Sequence, residues 1–267
     1  MTDASALLEL AVDVAREAGR LVRERRDAVI RMTVSATKTT PTDVVTESDT
    51  ASEELIRERL LGARPDDGLV GEEGASIDGR SGVAWVVDPI DGTVNYLYGI
   101  PQYAVSIAAV ADGRTVVGVV HNPVSGETWT ARRDGGAALD GRAVHESGCD
   151  RLDRALIATG FGYDPLRRAR QADVLRHVVP QVRDIRRAGS ASLDLCAVAT
   201  GRVDGYYERG LKSWDLAAGG LVAEEAGVVV GGLRGAAAGE GLVIAAGPAL
   251  FPALHDLLEP LGPDRDD

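Results

Sequence analysis

From residue 155 to residue 258, short apolar runs alternate with longer segments of helical period. ALIATG (155–160), VDGYYE (203–208), VVV (228–230) and LVIAAG (242–247) read as strands. Between and after them, 166–179, 192–201, 216–227 and 248–258 read as helices, with Pro180 and Gly201 near two of the ends. Such alternation has to cover a sheet with helices, so the fold class is α/β, built in layers.

The first part of the chain has a different rhythm. Leu7, Leu8, Ala11, Val14, Ala15, Ala18, Leu21 and Val22 recur at helical spacing, which predicts a helix over 4–26. TVSATKTTPTD (33–43) is small and polar and reads as a loop or hairpin. A second helix is expected at 47–61, capped by Ser48 or Asp49, with Glu53, Glu54, Arg57, Glu58 and Arg59 on its solvent face. Apolar runs at 83–87, 103–110, 115–122 and 127–131, parted by Asp112-Gly113 and Ser125-Gly126, predict an antiparallel meander. The Gly-rich, polar stretch around 133–150 reads as a join between an N-terminal α+β half (1–145) and a C-terminal α/β half (146–267). The tail EPLGPDRDD is expected to be disordered.

Charge and cysteine usage exclude several classes. Twenty-nine basic and 41 acidic residues leave a net charge of −12, the opposite of what phosphate-neutralising binders carry. No nucleic-acid partner and no anionic membrane surface is expected. Cys149 and Cys196 form no CxxC, so a disulfide framework is disfavoured and a reducing cytoplasm fits. No run approaches a membrane span, and the first residues lack the pattern of a signal peptide. Lysine occurs only at Lys38 and Lys212, and asparagine only at Asn95 and Asn122.

The chemistry gathers in carboxylates. In VVDPIDGTVNY (86–96) a strand runs into Asp88, Pro89, Ile90, Asp91, Gly92 and Thr93. Pro89 holds Asp88 in extended backbone, and Asp91-Gly92 turns the chain into a short helix. Two carboxylates three residues apart across such a turn can meet at one point, as can the N–H groups of Gly92 and Thr93. Paired hard anions suit Mg²⁺, and a helix start suits phosphate. An Asp-Pro turn and a helix cap would also account for these residues. Glu72-Glu73 in LVGEEG and Asp215 in KSWDLAAGG extend the carboxylate set. Taken together, Glu72, Asp88, Asp91 and Asp215 suggest a cage for more than one divalent cation. The four histidines, His121, His145, His177 and His255, lie apart and outside these motifs. Cys196, in an apolar helix, reads as a small buried residue.

DPIDGTVNY, GEE (71–73) and WDLAAGGLVAEEAG (214–227) resemble, in the same order, the three motifs of the inositol monophosphatase family. KTTPTDVVTESD (38–49) is similar to its lysine-bearing loop, and RRAGSASLDLCAVATGRVDGYYE (186–208) to its sugar-facing segment. The likeness runs from about residue 5 to about 258 and is nearest to the bacterial SuhB-type branch. It implies an αβαβα sandwich, a homodimer and Mg²⁺-dependent hydrolysis of inositol-1-phosphate or a related phosphorylated polyol or sugar, with family lithium sensitivity as a corollary. It implies a first Mg²⁺ on Glu72, Asp88 and the Ile90 carbonyl, a second on Asp88, Asp91 and Asp215, and a weaker third near Glu72. Gly92 and Thr93 would take the phosphate, and Glu72 and Thr93 would orient the attacking water. Arg186, Ser190, Ala191 and Glu208 would line the substrate side, and Lys38 would sit by the outermost ion. Val94 stands where many members carry a second threonine. Histidinol-phosphate, fructose-1,6-bisphosphate and 3′-phosphoadenosine phosphatases could share the cage, and a non-catalytic interaction module could keep the fold.

Overall fold

A computed structural model describes residues 3–28, 36–38, 44–74 and 76–265. Helix α1 (Ala4–Asp27) starts where the Asp3 carboxylate accepts the N–H of Ser5 at 3.0 Å. The loop expected at 33–43 contributes β1 (Ala36–Thr37), paired antiparallel with β2 (Val44–Val45). Residues 33–35 and 39–43 of that reading lie outside the described residues. Helix α2 spans Glu47–Ala63. Its cap is Thr46, with Asp49 three residues in and bonding back to the Thr46 N–H at 2.8 Å, a capping box rather than a cap on Ser48 or Asp49.

Strand β3 (Gly68–Gly71) runs parallel to β5 (Val83–Asp91), with β4 (Ser76–Ile77) on its other edge. Then come α3 (Thr93–Tyr98), β6 (Ala104–Ala111), β7 (Arg114–His121) and β8 (Thr128–Arg132), the expected meander. The stretch read as a join instead extends the same sheet as β9 (Gly136–Leu139) and β10 (Arg142–Ala143). Asp134 and Asp140 make its turns at positive φ. The sheet has eight strands in the order β10-β9-β8-β7-β6-β5-β3-β4.

The second sheet contains β11 (Leu156–Thr159), β12 (Asp184–Arg186), β13 (Gly205–Glu208), β14 (Val229–Gly231) and β15 (Val243–Ala246). Its order is β12-β11-β13-β15-β14, parallel on one side and antiparallel on the other. Helices α4 (Pro165–Val178), α5 (Ala191–Ala199), α6 (Ser213–Glu225) and α7 (Phe251–Leu258) alternate with these strands. Residues 259–265 of the tail are held rather than loose. Arg170 Nη2 donates to the Leu261 carbonyl at 2.7 Å, and Arg234 pairs with Asp264.

Strand alternation stacks these elements. Trp85, Val87, Val105, Ile107, Val117 and Val119 pack on Leu7, Ala11 and Val14 of α1 and on Ile56 and Leu60 of α2. Val86, Ala104, Ala108, Val120 and Trp129 face the other way, onto Leu193 and Cys196 of α5 and Ala218, Leu221 and Val222 of α6. Leu195, Val198 and Ala223 then meet Ala158, Tyr206, Val243 and Ala245 of the second sheet. Ile157, Tyr207, Ile244 and Ala246 cover Val174 and Val178 of α4 and Leu254 and Leu258 of α7. The result is the five-layer αβαβα order. Each fully buried branched side chain contributes about 1.5–3 kcal/mol, so the layers outweigh the exposed ion pairs.

Two buried carboxylates adjust the register. Asp67 takes the Trp85 Nε1–H at 3.0 Å, Arg64 Nη2 at 3.1 Å and the Ser81 hydroxyl at 2.6 Å, tying β3 beside β5. Glu53, expected on the solvent face of α2, is only 6% exposed and accepts the Glu73 N–H at 2.8 Å. It lies on the same helix stripe as Ile56 and Leu60 and holds the Glu72-Glu73 turn from below. Among the described residues no helix is long and apolar enough to cross a membrane.

Candidate active site

Asp88 lies one residue beyond Val87, on the face of β5 opposite Trp85 and Val87, and is 1% exposed. Its Oδ1 accepts the Ile90 N–H at 3.0 Å, across Pro89, which has no N–H to offer. The pairing with β6 shifts between Asp88 and Asp91, and this bulge brings Asp91 round toward Asp88. Gly92 follows at φ 93°, where a Cβ would stand 2.9 Å from the Gln102 carbonyl oxygen. Only glycine fits both that backbone and that space.

Asp215 arrives from α6, three residues past Lys212, whose N–H it accepts at 2.7 Å. Oxygens of Asp88, Asp91 and Asp215 all lie within 4.8 Å of one another. Glu72 follows β3, and its N–H donates to the Val87 carbonyl at 3.2 Å, one residue before Asp88. The Glu72 and Asp88 carboxyls share a hydrogen bond. The sequence-predicted set of Glu72, Asp88, Asp91 and Asp215 is therefore brought together from β3, β5 and α6. The Ile90 carbonyl is at its edge, 3.1 Å from the Thr93 hydroxyl.

These carboxyls resist ionisation in concert. Burial, then the charges of Glu72, Asp91 and Asp215, push Asp88 well above the carboxylate range. Burial, then Asp91 and Glu72, do the same to Asp215. Burial raises Asp91 against hydrogen bonds from Ser190, Ser192 and Ala191, and raises Glu72 against the Lys38 ammonium. Lys38 Nζ sits 2.7 Å from Glu72 Oε1 and 2.8 Å from Glu73 Oε1. Burial opposes its charge, but the two glutamates outweigh burial and hold the ammonium above its ordinary range. Hard oxygens crowded in this way with a single lysine fit a divalent cation better than they fit protons or one another.

Beside the cage, α2 supplies a group read from sequence only as a helix cap. The Thr93 hydroxyl lies 3.1 Å from Asp49 Oδ1, and the Ser52 hydroxyl donates to the Pro89 carbonyl at 3.2 Å. Asp49 is fully buried, and burial lifts its carboxyl to about 6. The TESD capping pattern is visible in the sequence, but nothing local to it points at Thr93.

The second sheet closes the other side. Ser190 caps α5 and donates to Asp91 Oδ2 at 2.6 Å, while the Ala191 N–H reaches Asp91 Oδ1 at 3.3 Å. Glu208 ends β13, fixed by the Tyr206 hydroxyl at 2.7 Å, and burial lifts its carboxyl to about 7. Asp194 of α5, not singled out from sequence, is 3% exposed. Burial, then Glu208 and Asp91, push its carboxyl up, with Arg187 opposing. Arg186 does not join this group. Its guanidinium pairs with Asp184 at 2.6 Å and with the Ile185 carbonyl at 2.8 Å. The arginine whose charge reaches Glu208 and Asp194 is its neighbour Arg187, one residue past the end of β12.

The chain is similar to known proteins along nearly its whole length. The model of the inositol monophosphatase family matches residues 3–261. Inositol-1-monophosphatase SuhB of Mycobacterium tuberculosis is 46% identical over 95% of this chain and 93% of that protein. A Nus factor SuhB of Pseudomonas aeruginosa is 41% identical over 95% of this chain and 96% of that protein. The crystal structure of the suppressor protein SuhB from Bartonella henselae superposes with a TM-score of 0.88 at 38% identity, covering 95% and 98% of the two chains. Sheet order, carboxylate turn and α6 motif thus lie inside one continuous likeness, and the chain belongs to the inositol monophosphatase family, whose metal-dependent phosphatases act on phosphorylated small molecules.

Proposed function

We propose that this protein is a Mg²⁺-dependent phosphomonoesterase that hydrolyses inositol-1-phosphate to inositol and phosphate. The observation that carries this reading is the convergence of Asp88, Asp91 and Asp215 within 4.8 Å, beside the Gly92-Thr93 turn. Glu72, Asp88 and the Ile90 carbonyl would hold one ion, and Asp88, Asp91 and Asp215 a second, with a third at Glu72. Bound there, Mg²⁺ supplies positive charge for the phosphate and acidifies a coordinated water.

The chain's own groups do the rest. The N–H groups of Gly92 and Thr93 orient phosphate oxygens. The Thr93 hydroxyl, hydrogen-bonded onward to Asp49 Oδ1, accepts a hydrogen bond from the attacking water and relays its proton to that carboxylate. Glu72 holds the water from the opposite side. Ser190 and Ala191 fix Asp91, and Glu208 accepts hydrogen bonds from the hydroxyls of the polyol. A carboxylate pinned by Tyr206 suits vicinal hydroxyls better than an adenine, which favours an inositol phosphate over 3′-phosphoadenosine.

The Nus factor name of one relative raises a role in a transcription complex. A net charge of −12 disfavours a direct hold on RNA phosphates, so catalysis remains the reading supported best. The test is phosphate release with and without Mg²⁺ from inositol-1-phosphate, histidinol-phosphate, fructose-1,6-bisphosphate and 3′-phosphoadenosine 5′-phosphate. Metal-dependent turnover that is highest on inositol-1-phosphate is expected. Turnover of none of the four would leave only the fold.

A further inference from the structure

The chain holds two asparagines, and one of them sits beside the cage, between α3 and the segment that precedes α5. Asn95, on α3 four residues past Asp91, is 6% exposed. Its Nδ2 donates to the Gln102 carbonyl at 2.7 Å and to the Ala188 carbonyl at 2.8 Å. The first bond stays beside α3. The second crosses to the segment that precedes α5.

That segment leads straight to Asp91. Ala188 is followed by Gly189 at φ 94°, then by Ser190 and Ser192. The Ser190 hydroxyl, the Ser192 N–H and the Ser192 hydroxyl all donate to Asp91 Oδ2, at 2.6, 2.8 and 2.5 Å. A closed ring results, running from Asp91 through α3 to Asn95, across to Ala188, through Gly189 to Ser190 and back to Asp91. The joint is tight. A Cβ at Gly189 would stand 2.9 Å from Asn95 Nδ2, and one at Gly92 would stand 3.1 Å from the Gly189 carbonyl oxygen.

We propose that Asn95 is a positioning residue that clamps the 188–192 segment onto Asp91 and so sets the orientation of its carboxylate for metal. The side chain has to be an amide of this length. Two carbonyls demand two N–H donors on one nitrogen. Aspartate would set an acceptor against two acceptors, and glutamine would need a further methylene where Gly189 leaves no room. The inference rests on the reading of the carboxylate cage as the metal site.

The test compares Asn95→Ala, Asn95→Ser and Asn122→Ala with wild type, by calorimetric titration with Mg²⁺ and by melting in EDTA and in Mg²⁺. Asn122 is the matched control, since its Nδ2 donates to the neighbouring Pro101 carbonyl at 3.3 Å without touching 188–192. Removing a residue that orients a ligand typically weakens metal binding by about 10–100-fold, and that loss is expected for Asn95→Ala. Asn95→Ser keeps one donor and should fall between. Asn122→Ala should bind Mg²⁺ as wild type does, whatever its melting temperature. Wild-type affinity in both Asn95 variants, at any stability, overturns the proposal.

Should Asn95→Ala fail to fold, Asn95→Ser and amide exchange in wild type decide. Mg²⁺ should slow exchange at Ser192, and exchange there indifferent to Mg²⁺ overturns the proposal too. Wild type that takes up no Mg²⁺ sinks the cage reading itself, a result distinct from variants that bind as wild type does.

Discussion

The Thr93 hydroxyl and the Asp49 carboxylate lie 3.1 Å apart although 44 positions separate them in the chain. One comes from the helix after the carboxylate turn and the other from the helix that covers the far side of the first sheet. Thr93 Oγ1 also faces the Ile90 carbonyl at 3.1 Å, so its single proton has two acceptors and its lone pairs remain for a water.

If the two act as one relay, removing either breaks the same proton path. Asp49→Asn and Thr93→Val should each lower kcat by about 10²-fold or more, the usual size of a lost acid–base contribution. The double variant should lose little beyond either single one. Single-turnover rates at saturating Mg²⁺ for the three proteins check this, and multiplicative losses would separate the two residues.

Asp88 gives a prediction about stability against function. Its carboxyl is buried with Glu72, Asp91 and Asp215 around it, all pushing it up. A neutral amide of the same shape removes that repulsion, so Asp88→Asn should melt higher than wild type in EDTA. The same change deletes a hard anion that the two proposed ions would share, and activity should fall by at least about 10²-fold. Wild type should gain from Mg²⁺, by about 2.7 kcal/mol at a hundred times the dissociation constant, and the variant should gain far less. Melting curves with EDTA and with Mg²⁺ test both halves. A variant that melts lower in EDTA would mean that Asp88 contributes more through its bond to Ile90 than it costs through repulsion.

Why some of this was legible in sequence and some was not follows from the kind of signal each residue leaves. The spacing of Asp88 and Asp91 around Pro89 is local, and so is the alternation that predicts the second sheet. Asp49 has a complete local explanation in its bond to Thr46, which hides its second contact. Glu53 lies on a buried helix stripe, but its charge masks the stripe. GLVG is too short and too rich in glycine to announce a strand, and it forms one because Asp67 ties it beside Trp85. The stretch from Gly136 to Ala143 offers glycines that read as a linker, yet Asp140-Gly141 is a hairpin turn. Choosing Arg186 over Arg187 turns on where β12 ends, which a two-arginine run does not reveal.

Lys38 bridges Glu72 and Glu73 with a compact ammonium. A cation at Glu72 has to share that carboxylate with the lysine or displace it. Guanidinium is a planar fork and cannot place one nitrogen between two carboxylates in the same way. Lys38→Arg and Lys38→Ala should therefore both keep the fold, lose activity and shift the Mg²⁺ dependence of the rate. The measurement is a Mg²⁺ titration of phosphatase rate for the three proteins. Three superimposed curves would make Lys38 a bystander.

Glu208 ends β13 with its carboxyl lifted to about 7, burial being the main cause and the Tyr206 bond opposing it. The sign follows from proton binding. Between its ordinary value of 4.5 and about 7, the folded protein holds a proton that the unfolded chain has released. This group's contribution therefore makes stability fall as pH rises through that window, by on the order of 3 kcal/mol, and Glu208→Gln should flatten that slope. Recognition runs the other way. A charged acceptor for sugar hydroxyls exists only above the folded pKa, so KM for inositol-1-phosphate should fall as pH rises through about 7. A hydrogen bond to a charged group contributes roughly 1.5–3 kcal/mol, so Glu208→Gln should cost about one to two decades on inositol-1-phosphate. An aryl phosphate, with no hydroxyl to offer, should lose little. Gly160→Ala tests the same contact from outside, because a Cβ there would overlap the Glu208 carboxylate and push it aside. It should reproduce the selective loss while leaving the Mg²⁺ dependence intact. Equal losses on the two substrates in both variants would move Glu208 from recognition to structure.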